Sequence, residues 1–225
     1  MTVLLILATF VVFLTIDYFH SRGLVVQPTA VAVQPPKARI FPDIVGGFEL
    51  PASLHYHLGH TWALAESPNL IRVGMDDLAA HLVGGVERVT LPQRGRWVRQ
   101  GQKLVTLIRD GAQADMVSPM EGMITDINEA VVRDPALALH DPYGQGWLVK
   151  MQAPDPDTNF RNLLGGAVAR QWMEEAAHRL RMQLERAVTA PSFALAQDGG
   201  LALHDLTAQM PDKDWGEFVR EYFLV

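Results

Sequence analysis

No cysteine occurs in the 225 residues. That excludes disulfides, thiolate catalysis and cysteine-ligated zinc or iron–sulfur centres, while leaving the compartment open. A basic excess is also missing. The formal net charge is −6, which argues against nucleic-acid binding, since that needs a positive surface to neutralise phosphates. Phosphate-loop chemistry is absent: Gly84-Gly85 and Gly199-Gly200 are followed by no Lys and no Ser or Thr, and read as turns. No Ser-His-Asp arrangement can be assembled, so no catalytic residue and no small-molecule substrate are expected. His55, His57 and His60 have a spacing that could hold a metal, but no Asp, Glu or Cys lies close in sequence to complete the set. No metal site is expected there. Asp76-Asp77 reads as a helix start rather than an acid/base pair.

Lysine is missing where a carrier would need it. Residues 104–119 read as two strand-like halves around Arg109-Asp110-Gly111-Ala112, the shape of a hairpin that presents an attachable lysine. The tip offers no lysine and no other attachable nucleophile; lysines at 103 and 150 bracket a stretch with none. No covalently bound cofactor arm is therefore expected.

What is present is substantial. A hydrophobic content of 48% fits a folded chain, and the length fits one medium domain with extensions or two small ones. Residues 2–19 are apolar apart from Asp17. As a helix they would extend roughly 27 Å, just short of a bilayer core of about 30 Å. Tyr18, Phe19 and His20 suit the headgroup boundary, and Arg22, Lys37 and Arg39 follow the segment with no cation before it. The positive-inside rule then places the C-terminal bulk in the cytoplasm. A cleaved signal peptide is the competing reading, with Ala30-Val31-Ala32 as its small-x-small site. It lacks a basic n-region and a site close behind the apolar core, so an uncleaved single-pass anchor is favoured. Pro28, Pro35, Pro36, Pro42 and Pro51 mark an extended spacer. The expected organisation is an anchor at 1–20, a Pro-rich linker at 21–55, a β domain at 56–154 and a helical extension at 155–225.

Within the β domain, strand-like runs occupy 62–65, 70–73, 86–91, 103–108, 122–127 and 147–151. Met75 to Val83 has helical spacing, with Asp76 and Asp77 in its first turn and Gly84-Gly85 as its stop. Two Gly- and Pro-containing turns, 92–102 and 118–122, each precede a strand. Paired half-units of this kind suit a pseudo-symmetric small-β sandwich.

The detailed motifs are more specific. They run His60-Thr61-Trp62, Val73-Gly74-Met75-Asp76-Asp77-Leu78-Ala79, and Val89-Thr90-Leu91-Pro92-Gln93-Arg94-Gly95. Ser118-Pro119-Met120-Glu121-Gly122, the 124–130 segment, Asp134-Pro135-Ala136-Leu137 and the ten residues 141–150 follow. Over residues 56–152 the chain resembles the glycine cleavage system H protein family, a lipoyl-domain-like family. The resemblance implies a mainly β barrel-sandwich hybrid with short helices. In that family a hairpin lysine bears lipoate, which shuttles an aminomethyl group and electrons among partner enzymes. Counting back from Ser118-Pro119 puts Gly111 at the lysine position and Ile108 at the position of the family's hairpin glutamate. Neither family residue is retained. Lys103 stands at a strand start, and Lys150 aligns with a structural lysine.

Beyond the domain, residues 158–188 read as one long amphipathic helix with Leu163, Leu164, Val168, Trp172, Ala176, Leu180 and Leu184 on its apolar side. Asp198-Gly199-Gly200 reads as a turn and Leu201 to Ala208 as a short helix. Asp214 to Leu224 reads as a terminal helix, with Trp215, Phe218, Val219, Tyr222 and Phe223 on one side. That aromatic side must be covered, by the domain itself or by a partner. The combined reading is a membrane-anchored, non-lipoylated H-like protein that binds protein partners. The alternatives are a working lipoyl carrier, or an unmodified mimic that regulates lipoate or glycine-cleavage enzymes.

Overall fold

A computed structural model describes residues 43–187 and 212–223. The expected anchor, most of the spacer, the 198–200 turn and the 201–208 helix lie outside the described residues. None of the described helices is long and apolar enough to cross a membrane.

In chain order the strands are β1 (Ile44–Val45), β2 (Phe48–Glu49), β3 (His55–Tyr56), β4 (Thr61–Ala65), β5 (Leu70–Met75), β6 (Arg88–Thr90), β7 (Trp97–Val98), β8 (Lys103–Arg109), β9 (Ala112–Val117), β10 (Gly122–Ile127) and β11 (Val149–Gln152). The helices are α1 (Asp77–Val83), α2 (Glu129–Arg133), α3 (Ala136–His140), α4 (Pro156–Phe160), α5 (Gly166–Ala187) and α6 (Asp212–Phe223). Among the described residues the strands form a β1-β2 hairpin, a six-stranded sheet in the order β3-β4-β5-β11-β10-β7, and a three-stranded sheet in the order β6-β8-β9. Every pairing is antiparallel. The fold is mainly β and lipoyl-like, with short helices, as the sequence implies.

The motifs quoted above are scaffold devices. Trp62 and Gly74 face each other across β4 and β5, and the indole donates to the Met75 carbonyl at 2.8 Å. A Cβ on Gly74 would lie 2.4 Å from that ring, so the buried tryptophan requires the glycine. Asp76 is the N-cap of α1, accepting from the Ala79 amide at 2.8 Å, which satisfies one of the amides left without a partner in the first helical turn. Asp77 accepts from the Glu49 amide at 2.8 Å. Its own amide donates to the Tyr143 hydroxyl, which donates in turn to the Glu49 carbonyl. Asp141 accepts from the Gly144 and Gln145 amides at 3.0 and 2.7 Å, closing the loop that carries Tyr143. Thr61 ties the two larger sheets together by donating to the Val117 carbonyl at 3.0 Å.

Two expectations change. Residues 43–55, assigned to the spacer, belong to the folded body: Val45, Phe48, Leu50 and Leu54 are buried in the core. The prolines correctly discourage helix but say nothing against a short hairpin between them. The long helix expected over 158–188 is also broken. Leu163 and Leu164 lie between α4 and α5, where Leu164 exchanges backbone hydrogen bonds of 2.8 Å with Tyr56. Gly166, with φ of 53°, starts the new helix, in a conformation that suits glycine. The buried stripe of α5 is Ala169, Met173, Ala176, Ala177 and Leu180. Val168 is exposed instead, because at about 100° per residue it stands well round the helix from that stripe. The β1-β2 turn seats on this stripe. A Cβ on Gly46 would come within 2.6 Å of Ala177, and Arg181 donates to the Gly46 carbonyl.

Candidate functional site

The site begins with one turn. β8 and β9 pair from Lys103↔Val117 to Arg109↔Ala112, leaving Asp110 and Gly111 as a two-residue loop. Their φ values are 47° and 81°. Positive φ at both central positions is the type I′ pattern that Asp-Gly favours in hairpins. Leu104, Val105 and Leu107 anchor β8 in the core, as Ala114 and Met116 anchor β9. Thr106 donates to Asp115 at 2.7 Å across the ladder.

The flank of the turn is closed by side chains that meet only in three dimensions. Helix α1 ends at Gly84, so its last carbonyls need partners from elsewhere. The Trp215 indole of α6 donates to the Val83 carbonyl at 3.1 Å. Arg109 reaches the Gly84 carbonyl at 3.4 Å, lies 3.6 Å from the Asp110 carboxylate, and sits 5.8 Å from the centroid of the Trp215 ring. A cation at a helix C-terminus is favoured by the helix dipole, and one over an indole by the ring's negative face. Trp215 is 1% exposed. Along the same helix Arg220 reaches the Gln113 carbonyl at 3.4 Å. Near its end Tyr222 hydrogen-bonds Gln183, and burial pushes the Tyr222 hydroxyl up to about 12. The aromatic side expected on the terminal helix therefore folds back on its own domain, with Phe218 packed against the core and Val219 and Phe223 buried in it.

The three histidines do not converge. His55 packs on Phe160 with ring centroids 4.7 Å apart. His57 accepts from the Gly59 amide at 3.0 Å. Burial holds both imidazoles below their ordinary range. His60 is buried with φ of 60° and pairs with Asp76 at 2.8 Å. Among the described residues no group of three His, Cys, Asp or Glu side chains could hold a metal.

An amide-linked carrier arm requires a primary amine at the turn. Gly111 supplies none; a Cβ built there would meet nothing within 4 Å, so packing does not fill the position either. Lys103 sits six residues up β8, roughly 20 Å away at the strand rise, and pairs with Asp115 at 2.7 Å. Lys150 lies on β11, paired with Glu66 at 2.8 Å and placed 5.3 Å from the centroid of the Trp147 ring. The residues present do not fit a lipoyl arm at this turn. Sequence reading located the turn and its missing amine. It missed the meeting of Arg109, Trp215 and the end of α1, for which the aromatic side of the last helix is the one available signal.

Comparison with known proteins agrees with the scaffold. Residues 54–176 match the family profile described as "Glycine cleavage H-protein". The "Probable glycine cleavage system H protein 2" of Sulfurisphaera tokodaii is 32% identical over 145 residues, covering 63% of this chain and 97% of that protein. The "Glycine cleavage system H protein" of Legionella pneumophila is 40% identical over 104 residues, covering 46% and 82%. A crystal structure of a glycine cleavage system H protein from Mycobacterium marinum superposes with a TM-score of 0.48 at 27% identity, over 56% of this chain and 98% of that one. The chain belongs to the glycine cleavage H-protein family.

Proposed function

We propose that this chain is a family member that does not carry lipoate. It serves as a binding or structural subunit of a membrane-associated complex, held by residues 2–19 with its folded domain on the cytoplasmic side. An H protein is not itself an enzyme, and this chain is not one. The observation that carries the reading is the Asp110-Gly111 turn: it has no amine, its φ values suit glycine rather than lysine, and its flank is packed under Trp215. The apolar N-terminal run supports the membrane part of the proposal.

Intact-mass measurement on the full chain, made in cells with active lipoylation, tests the first part. The expected mass is that of the unmodified sequence. A lipoyl adduct on Lys103 or Lys150 would overturn the reading. Co-purification in mild detergent tests the second part; a lone monomer at every detergent concentration sinks it. The names of the relatives favour a second reading, a lipoyl carrier of the glycine cleavage system, and the same mass measurement decides between the two.

A further inference from the structure

The chain is acidic overall, yet from Arg88 to Arg109 it carries Arg88, Arg94, Arg96, Arg99, Lys103 and Arg109 with no carboxylate between them. Three of these six cations have internal partners, while Arg88, Arg96 and Arg99 make no ion pair among the described residues. Arg94 pairs with Asp126 and Glu129, Lys103 with Asp115, and Arg109 is packed at the turn. Arg96 and Arg99 are exposed, and no ion pair among the described residues engages either. Between them Trp97 is 48% exposed. Its partner across the β7-β10 ladder is Met123, itself 39% exposed. Val98, the other residue of β7, is buried, so strand alternation places Trp97 and Arg99 on the outer face together. Glu121, the residue just before β10, makes no ion pair with either arginine among the described residues. β7 is the last strand of its sheet, and the ladder continues into the turn, where Gly95 donates to the Ile124 carbonyl at 2.7 Å. The result is an exposed strand edge that carries an indole and a thioether, with two guanidinium groups flanking Trp97 along the chain and no ion pair to either among the described residues.

From this geometry we infer that the β7-β10 edge docks on an anionic phospholipid surface. The inference rests on the membrane reading above. Tryptophan settles at the headgroup level because one end of the ring is apolar and the other polar. Cations near an anionic leaflet each contribute about 1 kcal/mol, roughly fivefold in binding. The segment between the anchor and Asp43 could span at most roughly 80 Å, so an anchor alone would leave the orientation of the domain open. A second contact of this chemistry would fix which face meets the bilayer, and it would leave the β8-β9 turn and α6 to other partners.

The test uses the full chain in nanodiscs of phosphatidylcholine, with or without phosphatidylglycerol, containing headgroup-proximal brominated lipid. Trp97 emission is obtained by difference from the Trp97→Phe variant. The expected result is quenching of Trp97 in the anionic discs only, lost with Arg96→Gln/Arg99→Gln and weakened by salt. Both arginines together should lower the surface-bound fraction relative to free by roughly 25-fold. Equal quenching in neutral discs or in the double variant, or no quenching in any disc, overturns the inference. Hydrogen-exchange protection of residues 94–100 by polyglutamate but not by anionic lipid would assign the edge to an acidic protein and also overturn it. Alkaline carbonate extraction is run first to test the anchor separately. If the chain is extracted, the anchor reading fails, and the edge is tested by co-sedimentation with phosphatidylglycerol vesicles. Co-sedimentation lost in the double variant sustains the edge without the anchor; absence of co-sedimentation sinks it.

Discussion

The turn at Asp110-Gly111 and the edge at Trp97-Met123 both terminate antiparallel ladders, yet they are finished in opposite ways. At the turn the nearby tryptophan is buried and the nearby arginine is committed to a helix end. At the edge the tryptophan is half exposed and its two arginines have no internal charge partner among the described residues. A protein that worked through its hairpin tip would be expected to leave the tip free and quiet its other edges, since an open strand edge invites unwanted pairing. Here the tip residues Asp110 and Gly111 are themselves exposed, but their flank is covered by Trp215 while the Trp97 edge stays open. The contrast singles out the Trp97 edge, beside the hairpin, as a surface to test.

The most severe way to break the closed side is Trp215→Ala. Losing a buried indole and its hydrogen bond to α1 should cost about 3–5 kcal/mol, read by denaturant unfolding. If α6 is a cover rather than part of the sandwich, amide exchange should accelerate at residues 109–113 while 122–127 keeps its protection. Uniform acceleration would show that α6 and the sandwich unfold as one unit.

Glycines sharpen the comparison next. A Cβ on Gly122, where β10 passes β11, would lie 2.4 Å from the Gln152 carbonyl oxygen. Backbone cannot give way cheaply, so Gly122→Ala should cost about 2–3 kcal/mol and disturb the edge that carries Met123. Gly111→Ala meets no atom and suffers only from its left-handed φ, about 1 kcal/mol. Thermal melts of the two variants separate steric from conformational cost. Equal losses would mean that the turn is packed after all.

A pH-dependent effect belongs to the closed side. The hydrogen bond to Asp77 raises His81 above the ordinary imidazole range, so the folded state holds that proton more tightly than the unfolded chain does. The stabilisation is fully present below the ordinary value of about 6.5 and fades as pH rises through the raised folded value. Burial lowers His55 and His57 and works the other way, costing stability as pH falls. His81→Gln should therefore lower the unfolding free energy more at about pH 6 than at about pH 8.5, by at most about 1 kcal/mol because the ring is partly exposed, read by denaturant unfolding at the two pH values. A difference independent of pH would remove the proton from the account. The smallest effect is expected at the open edge: Trp97→Ala should change stability by no more than about 0.5 kcal/mol, since the ring is turned outward.

Sequence alone determined much of this protein. Strand-length apolar runs, the acidic pair Asp76-Asp77 at a helix start and the Gly84-Gly85 stop located β4, β5, β8, β10 and α1, because alternation, the helix dipole and helix termination are local physics. Motif spacing placed the scaffold in its family, and the expectation that Gly111 stands at the family's lysine position comes from counting along the sequence, which requires no coordinates. The tertiary structure decided the rest. The break before α5 depends on Leu164 finding Tyr56, and the burial of residues 43–55 depends on a helix surface more than a hundred residues away. The closing of the turn depends on Trp215 and Arg109 both seeking carbonyls at the end of α1. Periodicity cannot report such meetings, because a hydrogen bond between distant segments leaves no pattern in either segment alone.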